Sequence, residues 1–321
     1  MKKLTLALSA IAAAFSASAQ ADVSDSGAAS AAYVSSAATT QNTSIITSGS
    51  VSFALSTTTA SGMGISAGMG ITQDPDANGQ TSKSGVSGGQ AVTFTTGGAT
   101  IVVGDIELGD TPGSVGGVVG GVLGDNNGLN SNVASGFADD DGLGLSLSTA
   151  VGAATLSVGY IVNDGKDNNG VINSTTSGED AMTAASISVP MGMYTITVGV
   201  ADSDTGESSS GATVAAALGG GTLTVGYSNQ TLKATSNTDL STDGDTTVLG
   251  ATYAMSLDAD TSVSVGYQSQ KDADSDSTTR MDASISRSLG GGASVYLDIR
   301  NLSGDAAVKD SAIAFGTSVS F

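Results

Sequence analysis

Acidic side chains are the main candidates for chemistry in this sequence, and they occur in clusters. Residues 139–141 are three consecutive aspartates, and aspartate alternates with small residues over 272–276. Oxygen ligands of this kind suit Ca²⁺ or Mg²⁺. The second cluster departs from a calcium-binding helix-loop-helix motif, because Ser277 stands where glycine is needed and Ala283 where a bidentate glutamate belongs. We therefore expect no cofactor and at most weak calcium binding by acidic loops.

The residue types that are missing exclude most catalytic classes. The chain has no cysteine and no histidine. It cannot form a disulfide, a thiolate nucleophile or a Ser-His-Asp triad, so we expect that it is not an enzyme. The 30 acidic residues outnumber 10 basic ones, two of which are Lys2 and Lys3. Such a surface repels the phosphate backbone, and we expect no nucleic-acid partner.

Oppositely charged side chains recur at a spacing of two near the C-terminal end of the chain. Arg280 and Asp282 form one such pair, and Asp298 and Arg300 form another. Residues two apart on an extended strand share one face. We therefore expect these four side chains to lie on the polar faces of two strands.

Alternating polarity predicts the β-strands that would position these charges. In 312–321, Ile313, Phe315, Val319 and Phe321 fall on one face, while alanine, glycine and serine fill the other. A helix cannot place residues in this way, because its period is 3.6. We predict an all-β protein.

Short and long connections alternate along the whole sequence. Glycine-rich tight connections, which favour hairpins, are predicted near 60–62, 96–98, 151–153, 190–192, 219–221, 257–260 and 289–292. Longer polar stretches lie near 38–44, 74–89, 106–141, 164–179, 202–211, 233–244, 271–279 and 302–309. Seven short and eight long connections join sixteen strands, which is typical of a bacterial transmembrane β-barrel with short periplasmic turns. A β-sandwich or a β-helix adhesin is the alternative all-β interpretation.

The N-terminal residues predict export. Lys2 and Lys3, an apolar stretch over 4–15 and a small-residue site at 19–21 have the layout of a cleavable signal peptide over 1–21. The remaining residues, 22–321, then form one barrel domain. Only 12% of the residues are charged, about half the usual ~25%. A barrel tolerates this composition because its outer face meets lipid rather than water.

A repeated segment places tyrosine on the apolar faces of the predicted strands. Thr-Leu-Ser-Val-Gly-Tyr at 155–160 is similar to segments at 222–227 and 261–267, and 194–199 is a weaker copy. Aromatic residues gather at the membrane–water interfaces of barrels. The predicted girdle residues are Tyr160, Tyr194, Tyr227, Tyr267 and Phe315.

Several stretches resemble the general-diffusion porins of alphaproteobacteria. They are residues 50–62, Gly-Asp-Ile-Glu-Leu-Gly-Asp at 104–110, 289–294 before the penultimate strand, and the terminal Phe321. The resemblance implies a homotrimeric, sixteen-stranded outer-membrane barrel whose long third loop folds into the lumen. It also implies that Phe321 belongs to the signal read by the barrel-assembly machinery. The connection over 106–141 is indeed the longest.

The expected function is a water-filled channel for passive diffusion of small hydrophilic solutes and ions. Carboxylates along a pore attract cations, so we expect a preference for cations. The resemblance departs at the arginine cluster of such porins, since only Arg280, Arg287 and Arg300 are present. The alternatives are a substrate-specific channel and a structural or adhesive surface protein without a pore. The predicted pore residues are Asp105, Glu107, Asp110, Asp125, Asp139, Asp140, Asp141, Arg280, Asp282, Asp298 and Arg300.

Overall fold

The structure is a computed structural model that describes residues 22–36, 44–75, 82–87, 91–108, 141–162, 181–204, 206–232, 244–271, 277–304 and 310–321. In these ranges the regular elements are β-strands, and no helix has the length and hydropathy needed to cross a bilayer. The strands are β1 Asp22–Ser36, β2 Ser44–Thr58, β3 Gly64–Pro75, β4 Ser82–Ser87, β5 Val92–Thr96, β6 Ala99–Glu107, β7 Asp141–Val151, β8 Ala154–Ile161, β9 Met182–Met191, β10 Tyr194–Ser203, β11 Ser208–Leu218, β12 Gly221–Leu232, β13 Gly244–Ser256, β14 Thr261–Lys271, β15 Ser277–Gly290, β16 Ala293–Gly304 and β17 Asp310–Ser320.

The strands form one closed antiparallel sheet. β1 pairs with β2 on one side and with β17 on the other, so the first and last strands close the barrel. The pairing reaches the final residue, because Gly27 N–H donates to Phe321 O at 2.9 Å and Phe321 N–H donates to Gly27 O at 3.0 Å. Among the described strands, closure leaves no unpaired edge, which is the condition for crossing a bilayer with strands.

β4 and β5 occupy a single strand position. Both pair with β3: Gly70 lies opposite Ser87 of β4, and Ala67 lies opposite Val92 of β5. The step from Ala67 to Gly70 is three residues along β3, whereas the step from Ser87 to Val92 is five residues along the opposite strand. This mismatch in register separates β4 from β5. The seventeen segments build a barrel of sixteen strand positions, which confirms the predicted count.

The two faces of the barrel differ as the alternation predicts. On β16, Leu297 and Ile299 face outward, whereas Asp298 and Arg300 are buried on the inner face. Large apolar side chains such as Val225, Leu249 and Val265 remain exposed on the outer face of other strands. An outer face of this kind suits hydrocarbon, and an inner face of small polar side chains suits water.

All seven predicted tight connections are present, and they lie at one end of the barrel. The turn after β7 has Gly152 at a φ of 64°, a conformation that side chains with a Cβ rarely adopt. In the turn after β2, Met63 N–H donates to Thr59 Oγ1 at 3.0 Å, and Thr59 N–H donates to Met63 O at 2.8 Å. We call this end the short-turn end and the opposite one the long-loop end.

Two of the predicted long connections are wrong in extent. β10 continues to Ser203 and β11 starts at Ser208, so only 204–207 separate them. The stretch over 74–89 contains β4 and the last residues of β3. At the long-loop end, outward positions such as Asp202 and Ser210 are polar. The apolar alternation that marks a strand in sequence therefore fades before the hydrogen-bonded ladder ends.

Candidate functional site

The inner face of the barrel is lined mainly by hydroxyl-bearing and very small side chains. Because antiparallel neighbours place these residues side by side, their hydroxyls bond across strands. The cross-strand bonds among the described residues include Ser30–Ser48 at 2.6 Å, Ser157–Ser148 at 3.1 Å, Thr197–Ser188 at 3.0 Å, Ser262–Ser286 at 2.8 Å and Ser294–Ser318 at 2.7 Å. Such a lining is neutral and can be wetted, and it offers hydrogen bonds without fixing an ion.

Four charged side chains meet on the inner faces of β15 and β16, near the long-loop end. We call this group, Arg280, Asp282, Asp298 and Arg300, the ionic wall. Arg280 Nε donates to both carboxylate oxygens of Asp282, at 2.7 and 3.0 Å. The two side chains are only 4% and 1% exposed. The pair is therefore held out of bulk water, where an ion pair is strengthened by the lower dielectric.

The second half of the ionic wall lies on the neighbouring strand. Arg300 pairs in register with Asp282, and Asp298 pairs with Ser284. Ser284 Oγ donates to Asp298 Oδ1 at 2.6 Å, a length typical of a bond to an ionised carboxylate. The structure thus brings together the four charges that the two-residue spacing placed on polar strand faces. Two arginines and two aspartates leave this wall without a net charge.

A neutral polar band continues from the ionic wall across β14 to β11. Gln268 lies opposite Arg280, and Gln230 lies between Ser209 and Thr246 on neighbouring strands. These four neutral side chains are each at least nine-tenths buried. The amide of Gln268 and the hydroxyl of Ser209 make no hydrogen bond in the described part of the chain. Buried polar groups normally have partners, so the amide of Gln268 and the hydroxyl of Ser209 are the groups of this band that a water molecule can satisfy.

A different surface covers the inner faces of β6 to β9, also near the long-loop end. Ile106, Ile161 and Met182 form a buried cluster, with Val102 and Leu108 packed against it. Met182 lies opposite Ile161 in the ladder between β8 and β9. We call these five side chains the apolar wall. The apolar wall was not predicted from the sequence, although the inward positions of Ile106 and Ile161 break the alternation of their strands.

Most of the predicted loop carboxylates fall outside the described residues. Asp110, Asp125, Asp139 and Asp140 do so, as does the acidic cluster over 272–276. The backbones of Asp105, Glu107 and Asp141 belong to β6 and β7. There Asp105 pairs with Leu143 and Glu107 pairs with Asp141. Within the described ranges, no group of three or more carboxylates is placed to hold a metal ion.

The predicted girdle residues lie on the outer face and are exposed there. The exposed fractions are 47% for Tyr160, 46% for Tyr194, 53% for Tyr227, 41% for Tyr267 and 60% for Phe315. Tyr194 follows a tight turn directly, whereas Tyr160, Tyr227 and Tyr267 lie further along their strands. The aromatic side chains therefore occupy more than one level of the outer surface.

Phe321 lies at the seam where the barrel closes. Its ring covers Gly27 so closely that a Cβ on Gly27 would overlap the ring carbons. The glycine is required by space here, because an aromatic side chain across a strand glycine fills the face that the glycine leaves empty. The terminal residue thus belongs to the ladder rather than extending beyond it.

A closed barrel with an apolar exterior and a polar lumen defines a membrane channel. A family model of Gram-negative porins matches residues 5–307, and the protein belongs to that family. It is therefore an outer-membrane porin of bacteria, and this family consists of channels rather than enzymes. The resemblance to porins is confirmed at the level of the family. A comparison with curated proteins finds no significant match.

Solved structures show the same fold at low sequence identity. A mutant of the Rh. blastica porin is 15% identical, with a TM-score of 0.64, and the match covers 94% of this chain and 100% of that one. The trimer form of OmpT from Vibrio cholerae is 12% identical, with a TM-score of 0.67 and coverage of 94% and 99%. An anion-selective porin from Comamonas acidovorans is 12% identical, with a TM-score of 0.61 and coverage of 94% and 100%. Since the fold serves an anion-selective channel, the fold alone does not set ion preference.

Proposed function

We propose that the protein is a general-diffusion porin that passes small hydrophilic solutes and prefers cations. The observation that carries the channel is the closed barrel with a neutral polar lining, and the excess of acidic residues in the chain carries the preference for cations. The hydroxyl lining is neutral, and the ionic wall contains two positive and two negative side chains. The sign of selectivity then depends on the remaining charges: of the 30 acidic and 10 basic residues of the chain, 28 and 8 are left when the two aspartates and two arginines of the ionic wall are set aside. Carboxylates along the path of an ion raise the local concentration of cations.

The predicted loop carboxylates are the proposed source of this preference. Residues 106–141 contain no lysine or arginine, so nothing within that stretch neutralises its aspartates. Asp139, Asp140 and Asp141 lie where the stretch returns to β7. A group of carboxylates at such a position attracts cations and repels anions, as charged rings do in other channels.

Planar-bilayer recordings of the refolded protein test both parts of the proposal. The wild type is expected to conduct. With a KCl gradient across the membrane, its reversal potential is expected to have the sign that shows greater permeability to K⁺ than to Cl⁻. Replacing Asp139, Asp140 and Asp141 together by asparagine is expected to move the reversal potential toward zero. A silent membrane would refute the channel. A wild-type reversal potential that shows greater permeability to Cl⁻ would refute the assignment of these carboxylates. A reversal potential that is the same in the triple variant and the wild type would also refute it.

We also propose that three copies assemble and that each copy meets outer-membrane lipid. The trimer form of the similar Vibrio cholerae protein supports the first part. The exposed apolar outer face supports the second. Sedimentation in detergent is expected to give a homotrimer, and conductance is expected to appear in steps of three. A monomer in both measurements would refute the assembly.

The two ends of the chain carry proposals of their own. We propose cleavage after residue 21 and recognition of Phe321 by the barrel-assembly machinery. N-terminal sequencing of protein from membranes should begin at Asp22. Phe321→Ala should reduce the folded fraction in cells without abolishing refolding of the purified chain. We propose no resident cofactor; calcium bound weakly by the acidic loops would appear only as a small, chelator-reversible change in conductance.

A further inference from the structure

We propose that Leu108 is a positioning residue that fixes the course of the chain as it leaves β6, by seating its side chain over Gly159 inside the barrel. The inference rests on the proposed function, because it concerns the point at which the chain leaves β6 on the inner face of the proposed pore. It also adds a device, a leucine held in a glycine slot, that can be tested without measuring ion flow.

The placement of Leu108 is the first observation. The residue follows directly after β6, which ends at Glu107. Its side chain packs against the buried cluster of Ile106, Ile161 and Met182. It also lines a cavity of about 170 Å³ together with inward-facing residues of β7, β8 and β9, such as Ser146 and Ser186. The side chain of Leu108 is therefore inside the barrel and lies over the neighbouring strands.

The second observation is that the Leu108 side chain fills the space over Gly159 that a side chain would otherwise occupy. A Cβ built on Gly159 would overlap the Cδ2 atom of Leu108 and lie 3.7 Å from its Cγ. Gly159 has no positive φ, in contrast to the turn glycines of the barrel. The backbone of β8 would therefore accept alanine at this position. A larger residue at this position would therefore have to displace the end of the Leu108 side chain.

The surroundings supply the reason why Leu108 stays in this position. Apolar side chains on the wall of an aqueous lumen are stabilised only where other apolar groups remove them from water. Ile161 is fully buried and Met182 is 1% exposed. Leu108 completes this cluster, and the hydrophobic gain is lost if the chain leaves β6 in another direction. The apolar wall thus fixes the direction of the chain at Leu108.

A cysteine cross-link tests the contact itself, and the chain has no native cysteine to interfere. The variant pairs Leu108→Cys with Gly159→Cys, in the full refolded protein under mild oxidation. A disulfide needs Cβ atoms about 3.5–4.5 Å apart, which is within reach of the observed contact. We expect loss of both free thiols and a shift in gel mobility. The control pairs Leu108→Cys with Gly68→Cys on the inner face of β3, which should keep its thiols.

Single-channel recording tests the consequence for the pore. Gly159→Ala is expected to displace Leu108 and to replace one uniform conductance level by a shifted or spread distribution. Leu108→Ala is expected to do the same, and the double variant should resemble Leu108→Ala alone because the clash is gone. Gly68→Ala is the matched control, since the nearest atom to its added Cβ is 3.4 Å away. Its conductance should equal that of the wild type.

The outcomes separate this inference from the proposed function. Free thiols in the Leu108→Cys, Gly159→Cys variant, or wild-type conductance in Gly159→Ala, would refute the positioning role of Leu108. A conducting wild type would still support the porin function. Silence of the wild type with a formed cross-link would refute the channel and uphold the contact. Thermal unfolding of every variant shows whether an altered conductance comes from a folded barrel.

Discussion

The apolar wall on β6 to β9 and the ionic wall on β15 and β16 face the same lumen near the same end, yet they are stabilised by different physics. Ile161 and Met182 are buried because apolar surface leaves water. Arg280 and Asp282 are buried because each satisfies the charge of the other. The stability that apolar burial gives falls by small steps when a side chain is trimmed. The stability of a buried ion pair is lost in one large step when one partner is removed. A change of charge on the ionic wall is therefore predicted to shift both selectivity and stability, whereas a change on the apolar wall is predicted to alter stability and the course of the chain after β6 without shifting selectivity.

Breaking the ion pair gives the largest expected effect. Asp282→Asn leaves Arg280 and Arg300 with one carboxylate between them, and losing one partner of a buried pair costs about 3–5 kcal/mol of unfolding free energy. The reversal potential should also shift in the direction of greater permeability to anions, because the ionic wall then carries a net positive charge. Urea unfolding in lipid vesicles and bilayer recording measure the two effects.

The control for this prediction removes the same charge from the outer face. Asp202 is exposed near the long-loop end of β10. Asp202→Asn should leave the free energy of unfolding and the reversal potential near their wild-type values. If Asp282→Asn behaves in the same way, the ionic wall contributes neither stability nor selectivity.

The difference between the two walls also explains what the sequence could predict. Period-two alternation located the strands, and the glycine turns located the short-turn end, because both signals are local. The pairing of Arg280 with Asp282 could be predicted from their spacing on one strand. The apolar wall was not predicted, because an apolar residue such as Ile161 is assigned to the lipid face by default. Alternation along β8 turns Ile161 inward, since Tyr160 beside it faces outward. Which apolar residues then meet it, such as Met182, depends on the register between strands.

The extent of the strands at the long-loop end was hidden for a related reason. Beyond the bilayer the outer face no longer needs apolar side chains, so Ser208 to Ser210 resemble a loop in sequence. Their pairing with β10 on one side and β12 on the other identifies them as strand. The turn before them is closed by Ser203 N–H donating to Glu207 O at 2.9 Å. Such contacts join residues whose types do not reveal the pairing.

Removing the hydroxyl that supports Asp298 gives a smaller effect within the ionic wall. Ser284→Ala deletes a hydrogen bond to a carboxylate, which is worth about 1.5–3 kcal/mol. We expect lower stability in urea and a small change in reversal potential, since the charges remain. Ser264→Ala, at the position opposite Ser284 on β14, is the matched control. Equal losses in both variants would mean that the bond to Asp298 is not special.

Trimming Ile161 in the apolar wall should be milder and should change stability without changing selectivity. Ile161→Val deletes one methylene group at a fully buried position, which costs about 0.5–1.5 kcal/mol. The reversal potential should not change, because no charge is involved. Ile187→Val makes the same deletion on the outer face of β9, where the side chain is 38% exposed, and should cost less. A shift in selectivity from Ile161→Val would contradict the division of roles between the walls.

The smallest expected effect lies outside both walls, in the turn between β13 and β14. Asp258 Oδ1 accepts from Asp260 N–H at 2.8 Å and from Thr261 N–H at 2.7 Å. These bonds, together with the charge of Arg287 at 3.6 Å, hold the pKa of Asp258 below its ordinary value of 3.8.

A carboxyl whose pKa is lower in the folded state stabilises the fold above the unfolded pKa, and this contribution disappears as pH falls through the folded value. The wild type should therefore lose stability below pH 3.8 more steeply than Asp258→Asn, as measured by thermal unfolding across acidic pH. Asp260→Asn removes a charge from the same turn and should keep the wild-type slope; parallel curves for the wild type and Asp258→Asn would show that the turn does not sense pH.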